Sequence, residues 1–197
     1  MTLANKITLS RIIMTIIIVF FLLFPFYSIN IVFPKYNVGG IVVDLKYIIS
    51  GILFLIASIT DLFDGMIARK RKEVTDTGKM LDAIADKVLV NSVFVIFASN
   101  GFISPIVAVI YIFRDEIVNA LKMHAAQNGV TVSASMSGKI KTFAMLAGLT
   151  LMFFYNLPFE LINIRIDKFL IYFATILSVI SGFEYYYKIT KNKKIDN

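Results

Sequence analysis

Two stretches place four carboxylates in otherwise apolar surroundings: Asp61-Leu-Phe-Asp64-Gly65-Met-Ile-Ala68-Arg69 and Gly78-Lys-Met-Leu-Asp82-Ala-Ile-Ala-Asp86. Asp61 and Asp64 stand at i,i+3, and Asp82 and Asp86 at i,i+4, so each pair shares one face of a helix. An aspartate near the middle of a membrane-spanning helix costs about 2.5–3.5 kcal/mol on insertion scales. Four that converge also repel one another. Divalent cations resolve both problems, and an all-oxygen donor set suits Mg²⁺ or Mn²⁺ rather than zinc or copper. Two such ions about 3.5–4 Å apart form the usual clamp for phosphoryl displacement. Gly65 and Gly78 leave room for a bulky ligand to approach the backbone. Arg69, one turn past Gly65, is placed to meet a phosphate.

The elements that must hold these groups are apolar helices. The chain has 197 residues, 58% of them hydrophobic, and a mean hydropathy of +0.79. Its apolar residues fall into six blocks, about 8–29, 46–68, 79–99, 102–124, 138–157 and 168–187. Each is close to the roughly 20 residues that cross a bilayer. The expectation is one all-α membrane domain over 1–197 with six transmembrane helices, and the first block a retained span rather than a cleaved signal. Pro34, Gly39-Gly40, Gly101 and Pro158 mark the outer connections, and Asn128-Gly129 an inner turn. With the N-terminus in the cytoplasm, 16 Lys and Arg lie toward the cytoplasmic face and 4 on the other. This bias sets both termini and the carboxylates on the cytoplasmic side. It also accounts for the net charge of +7 without nucleic acid. The absence of cysteine and the single His124 exclude disulfides, thiolate sites and histidine-rich metal centres.

The run Asp-x2-Asp-Gly-x2-Ala-Arg-x8-Gly-x3-Asp-x3-Asp, from Asp61 to Asp86, resembles the signature of the CDP-alcohol phosphatidyltransferase family. That resemblance implies a six-span bundle, commonly a homodimer, with a polar cavity open to the cytoplasm of the cell membrane. It implies that Asp61 and Asp82 bridge two Mg²⁺ or Mn²⁺ ions and that Asp64 and Asp86 complete one each. Asp86 is also the implied base, and Gly65, Arg69, Thr75 and Gly78 the implied contacts to the CDP-lipid. Asn5-Lys-Ile-Thr8-Leu-Ser-Arg11 is similar to the opening of the phosphatidylglycerophosphate synthase branch, which adds Asn5 and Thr8 to the CDP-lipid site. Arg114-Asp115, Gly138-Lys139-Ile-Lys141-Thr142 and Ser181-Gly182-Phe-Glu184-Tyr185 are similar to later stretches of that branch. Ala83, Asp115 and Lys122 depart from its usual proline, glutamate and arginine.

The implied reaction moves a phosphatidyl group from CDP-diacylglycerol to sn-glycerol 3-phosphate and releases CMP. The constellation contains no candidate nucleophile, so direct attack by the acceptor hydroxyl is expected. The acceptor's phosphate needs cations, and Arg114, Lys139, Lys141 and Lys122 are available. Inositol phosphate, serine or phosphatidylglycerol are alternative acceptors, and a divalent-cation pathway is the alternative to an enzyme. Simpler roles stand beside these. Arg114 and Asp115 can neutralise each other, Lys139 and Lys141 can be membrane anchors, and Tyr185 to Tyr187 read as an interfacial belt.

Overall fold

A computed structural model describes the backbone of residues 3–71, 76–127 and 135–193, with the side chains of 7–60, 81, 84–127 and 135–190. Six helices carry the fold: α1 (Leu3–Leu23), α2 (Leu45–Arg71), α3 (Asp76–Ser99), α4 (Pro105–Gln127), α5 (Met136–Phe153) and α6 (Ile166–Lys193). The six apolar blocks correspond to them one for one, but two expected ends move inward. The first helix stops at Leu23 rather than near residue 29. Phe24 N–H still reaches Phe20 O at 2.9 Å, but Pro25 has no N–H to continue the ladder. A single 3-10 turn, Phe26–Ile29, follows and ends on Asn30 in the left-handed region. The fifth helix stops at Phe153, and Tyr155 and Asn156 take positive φ ahead of Pro158.

The connection between α1 and α2 holds a small sheet that the all-α expectation does not include. β1 (Lys35–Val38) pairs antiparallel with β2 (Ile41–Asp44), Val38 opposite Ile41. Gly39 and Gly40 form the two-residue turn with φ of 60° and 89°, which only glycine adopts without strain. Asn37 Oδ1 accepts from Gly40 N–H at 2.9 Å and closes it.

Side-chain contacts fix how the helices run. Asn156, just past α5, accepts from Asp167 N–H at the start of α6, while Ser135, ahead of α5, donates to Tyr185 near its end. The two helices are therefore antiparallel. Arg114 meets Ser181 and Lys122 meets Tyr185, so α4 runs parallel to α6. Phe94 stacks on Tyr111 and Lys87 pairs with Glu116, so α3 is antiparallel to α4. α1 packs on α2 and α3.

The core lies between these helices. Phe54, Phe94, Phe97 and Phe153 are fully buried, with Phe97 and Phe153 ring centroids 4.7 Å apart. Gly51 lets α2 approach α5: a Cβ there would sit 2.7 Å from Phe153 Cβ. Outward, Ile106, Val109, Phe113 and Ile117 on α4 and Phe169, Tyr172, Ile176 and Phe183 on α6 are exposed at helical spacing. By length and apolar composition, Ile166–Thr190 is the one helix able to cross a membrane among the described residues. Ile7–Leu23 and Leu45–Thr60 are shorter apolar stretches.

Candidate active site

Asp86 lies on α3, exposed to solvent. It opens into a cavity of about 560 Å³ at the end of the bundle where α4 finishes and α5 begins. Lys87 and Asn91 flank it from α3; Tyr111, Arg114, Asp115, Asn119 and Lys122 come from α4; Lys139, Lys141 and Thr142 from α5; Tyr185 from α6. The cavity thus brings Asp86 together with all four cations expected to meet an acceptor phosphate. Among the described residues, five cationic side chains face two carboxylates in its lining.

The centre of the lining is an ion cluster. Asp115 Oδ1 accepts from Lys141 Nζ at 3.0 Å and from Arg114 Nη1 at 3.3 Å. Arg114 Nη2 donates to Ser181 Oγ, which donates on to Ser178 O at 3.1 Å. Gly182 gives the guanidinium its space, since a Cβ there would lie 3.2 Å from Arg114 Nε. The Lys141 side chain is only 8% exposed, the Arg114 side chain 12% and that of Asp115 29%. A buried ammonium and guanidinium are tolerable because one carboxylate serves both. The mutual neutralisation of Arg114 and Asp115 is therefore present, with Lys141 as a third member. Lys141 faces the cavity from inside the bundle and is not a membrane-edge anchor, whereas Lys139 is exposed.

Aromatic faces lie under two of the cations. Lys141 Nζ sits 4.6 Å from the centroid of Tyr111, which stacks on Phe94 at 4.6 Å and 16°. Lys122 Nζ sits 4.4 Å from the centroid of Tyr185. Tyr185 Oη accepts from Ser135 N–H at 3.3 Å, and Ser135 Oγ in turn accepts from Gly138 N–H and caps α5. The expectation of an interfacial belt at 185–187 is corrected here. Tyr186 and Tyr187 are 58% and 69% exposed, but Tyr185 is 4% exposed and lines the cavity. One signal for this was in the sequence. Ser178, Ser181 and Tyr185 recur at i, i+3 and i+7, a polar stripe on an otherwise apolar helix.

The rest of the expected site is described only as backbone. Asp61, Asp64, Gly65 and Arg69 lie on α2, and Gly78 and Asp82 on α3, with helical backbone through both aspartate pairs. Their side chains, and that of Asn5 on α1, lie outside the described residues, as do Thr75, Ala83 beyond its backbone, and the Asn128-Gly129 turn. Thr8 is buried on α1. Among the described residues no three His, Cys, Asp or Glu cluster to hold a metal ion, and Asp86 is the only one of the four aspartates with a described side chain. The donor chemistry fits a hard divalent ion: four carboxylates, paired at i,i+3 and i,i+4 on two helical segments.

Known proteins are similar to this chain in sequence and in fold. The family model for CDP-alcohol phosphatidyltransferase matches residues 1–180. A Bacillus subtilis CDP-diacylglycerol–glycerol-3-phosphate 3-phosphatidyltransferase is 35% identical over 195 residues, covering 99% of this chain and 98% of the relative. A Haemophilus influenzae protein of the same name is 34% identical over 181 residues, covering 89% and 91%. A Rickettsia bellii one is 34% identical over 143 residues, covering 72% and 79%. In fold, the chain is similar to the Mycobacterium tuberculosis phosphatidylinositol phosphate synthase crystallised with manganese and citrate. The TM-score is 0.63 at 17% identity, covering 95% of this chain and 82% of that one. With the aspartate signature unbroken, both aspartate pairs on helical backbone and the family model matched over nearly the whole length, the chain belongs to the CDP-alcohol phosphatidyltransferase family.

Proposed function

We propose that this enzyme transfers the phosphatidyl group of CDP-diacylglycerol to the 1-hydroxyl of sn-glycerol 3-phosphate, giving phosphatidylglycerophosphate and CMP in phospholipid synthesis. The observation that carries the reading is the cavity, where Asp86 shares one hollow with Arg114, Lys122, Lys139 and Lys141. A hydroxyl to be activated and a phosphate to be held need those two chemistries a few ångströms apart. The relatives named for this reaction cover the chain almost end to end.

In this reading Asp61, Asp64, Asp82 and Asp86 hold two Mg²⁺ or Mn²⁺ ions, and Gly65, Arg69, Thr75, Gly78, Asn5 and Thr8 receive the CDP-lipid. When bound, the ions polarise the pyrophosphate and stabilise the charge that builds on departing CMP. Asp86 accepts the proton of the glycerol hydroxyl as that oxygen attacks the phosphorus bearing diacylglycerol. The exposed Lys139 and Lys122 meet the acceptor phosphate first, and Lys141 and Arg114 complete its cradle from deeper in the wall. Asp115 keeps those two cations in place before the acceptor arrives.

The same reading makes all six helices membrane crossings, with both termini and the cavity on the cytoplasmic side of the cell membrane. The exposed apolar stripes of α4 and α6 support a lipid surround. The homodimer follows from the family resemblance. The deciding experiment is CMP release from CDP-diacylglycerol by purified protein with Mn²⁺ or Mg²⁺, each acceptor supplied in turn. Glycerol 3-phosphate is expected to stimulate release, and EDTA to abolish it. Release driven by serine or phosphatidylglycerol, with none by glycerol 3-phosphate, would refute the acceptor assignment.

A further inference from the structure

We propose that Tyr111 and Tyr185 are positioning residues for the acceptor: their ring faces hold the ammonium groups of Lys141 and Lys122 where a phosphate dianion must bind. The inference rests on the acceptor reading above and adds two residues to it. Both lysines lie over ring centroids, at 4.6 and 4.4 Å, inside the range in which a ring quadrupole attracts a cation. Both tyrosines are fixed from behind. Tyr111 stacks on the fully buried Phe94, and Tyr185 is tied through its hydroxyl to Ser135 N–H at the start of α5.

A rigid, buried ring beneath a flexible four-carbon side chain restricts where the ammonium can go without neutralising it. A carboxylate in the same place would do so more strongly but would compete with the incoming phosphate. Asp115 already does this for Lys141 and Arg114. The rings therefore supply the part of the positioning that costs no anion affinity. They favour acceptors that carry a phosphate and give a neutral acceptor nothing.

The test uses the full-length protein in detergent with phenylalanine and then mono-, di- and trifluorophenylalanine at position 185. Fluorine withdraws charge from the ring face with little change of shape. KM for glycerol 3-phosphate is expected to climb with each fluorine, reaching about twofold to fivefold above the Tyr185→Phe protein for the trifluoro ring. KM for CDP-diacylglycerol is expected to stay within twofold across the series. In a Lys122→Met background the climb is expected to vanish, which a packing role for Tyr185 would not produce. The same series at position 111 is expected to give a steeper climb, up to about thirtyfold, because Lys141 is buried. A flat series in protein that responds to glycerol 3-phosphate, or a slope that survives Lys122→Met, overturns this inference alone. Unsubstituted protein whose CMP release no phosphorylated acceptor stimulates overturns the acceptor reading, and this one with it.

Discussion

Asp115→Asn keeps the shape of the side chain and the oxygen that Lys141 and Arg114 approach, but removes the charge they share. At an effective dielectric of about 20, a unit pair at the Lys141–Asp115 distance of 3.0 Å attracts by roughly 5 kcal/mol. Most of that gross attraction is offset by the desolvation of both partners. A hydrogen bond to a charged group is worth about 1.5–3 kcal/mol net. With Asp115 29% exposed, the lower part of that range applies to each contact. The variant is therefore expected to lose about 2–3 kcal/mol, since an ammonium and a guanidinium are left facing each other in the wall. For a chain of about 200 residues, this is a fall in Tm of roughly 5–10 °C.

The assay is thermal unfolding in detergent, with and without glycerol 3-phosphate. A phosphate dianion supplies the charge that the asparagine lacks, so the ligand is expected to raise the variant's Tm by more than it raises that of the unsubstituted protein. A second substitution, Lys141→Met, should cost less in the Asp115→Asn background than alone, with a coupling of at least about 1 kcal/mol. A variant whose ligand-free Tm lies within about 1 °C of the parent would refute the charge argument. Equal ligand shifts in the two proteins would refute the claim that phosphate enters this cluster.

Three further outcomes follow from the same geometry. Asp86→Asn is expected to lower CMP release by at least about 10²–10⁴-fold while CDP-diacylglycerol still binds, measured by turnover and by nucleotide-lipid titration; release within tenfold of the parent would remove Asp86 as the base. Asn156→Ala breaks a buried knot in which Asn156 Nδ2 donates to Ile164 O at 2.7 Å and to Glu160 at 3.0 Å, and Oδ1 accepts from Asp167 N–H. It is expected to cost about 2–4 kcal/mol of stability and leave both KM values unchanged, because the knot lies at the end of the bundle away from the cavity. Gly51→Ala forces a Cβ to within 2.7 Å of Phe153 Cβ, so it is expected to lose about 1–3 kcal/mol by denaturant titration, with the m-value preserved.

The helices were legible because apolar length is a signal summed over many residues, so each block survives local exceptions. Their ends were less so. α1 and α5 both stop short of the apolar runs, and the reasons are local: Pro25 in one case, the left-handed Tyr155 and Asn156 in the other. The hairpin at 35–44 was half legible. Gly39-Gly40 read as a breaker, but strands of four residues are too short for alternation to outweigh the surrounding helix pattern. In the cavity, charged residues announced themselves because Arg114 and Lys141 stand out in apolar segments, although neutralisation by Asp115 and membrane anchoring were ordinary readings beside a functional one. Tyr111 and Tyr185 did not, since a tyrosine in a membrane protein is more often an interfacial residue. Only the direction each ring faces distinguishes the two roles, and sequence spacing gives that direction only when the partner helix is known. The same limit applies to Asp115. Its neighbour Arg114 suggested a pair, but its link to Lys141 spans 26 positions and two helices.

The charge balance of the cavity bears on which acceptor it was built for. Lys141 and Arg114 are largely withdrawn from water, and a single carboxylate oxygen serves both. Lys139 and Lys122 add two more positive groups at the mouth, while among the described residues the other anion in the lining is Asp86, which in the proposed mechanism takes a proton and holds a metal. An arrangement of that kind is poorly matched to serine, whose own ammonium would meet four cations. Nor does it suit the hydroxyl of a neutral glycerol, which would leave their charge uncompensated. A phosphate dianion corrects the excess within the same cavity that Asp86 lines. The lysine at 122, where arginine is more usual, fits this balance as well. An ammonium over the Tyr185 ring offers one compact charge rather than a bidentate fork, so a reduced demand for phosphate geometry, not a loss of phosphate recognition, is the expected consequence.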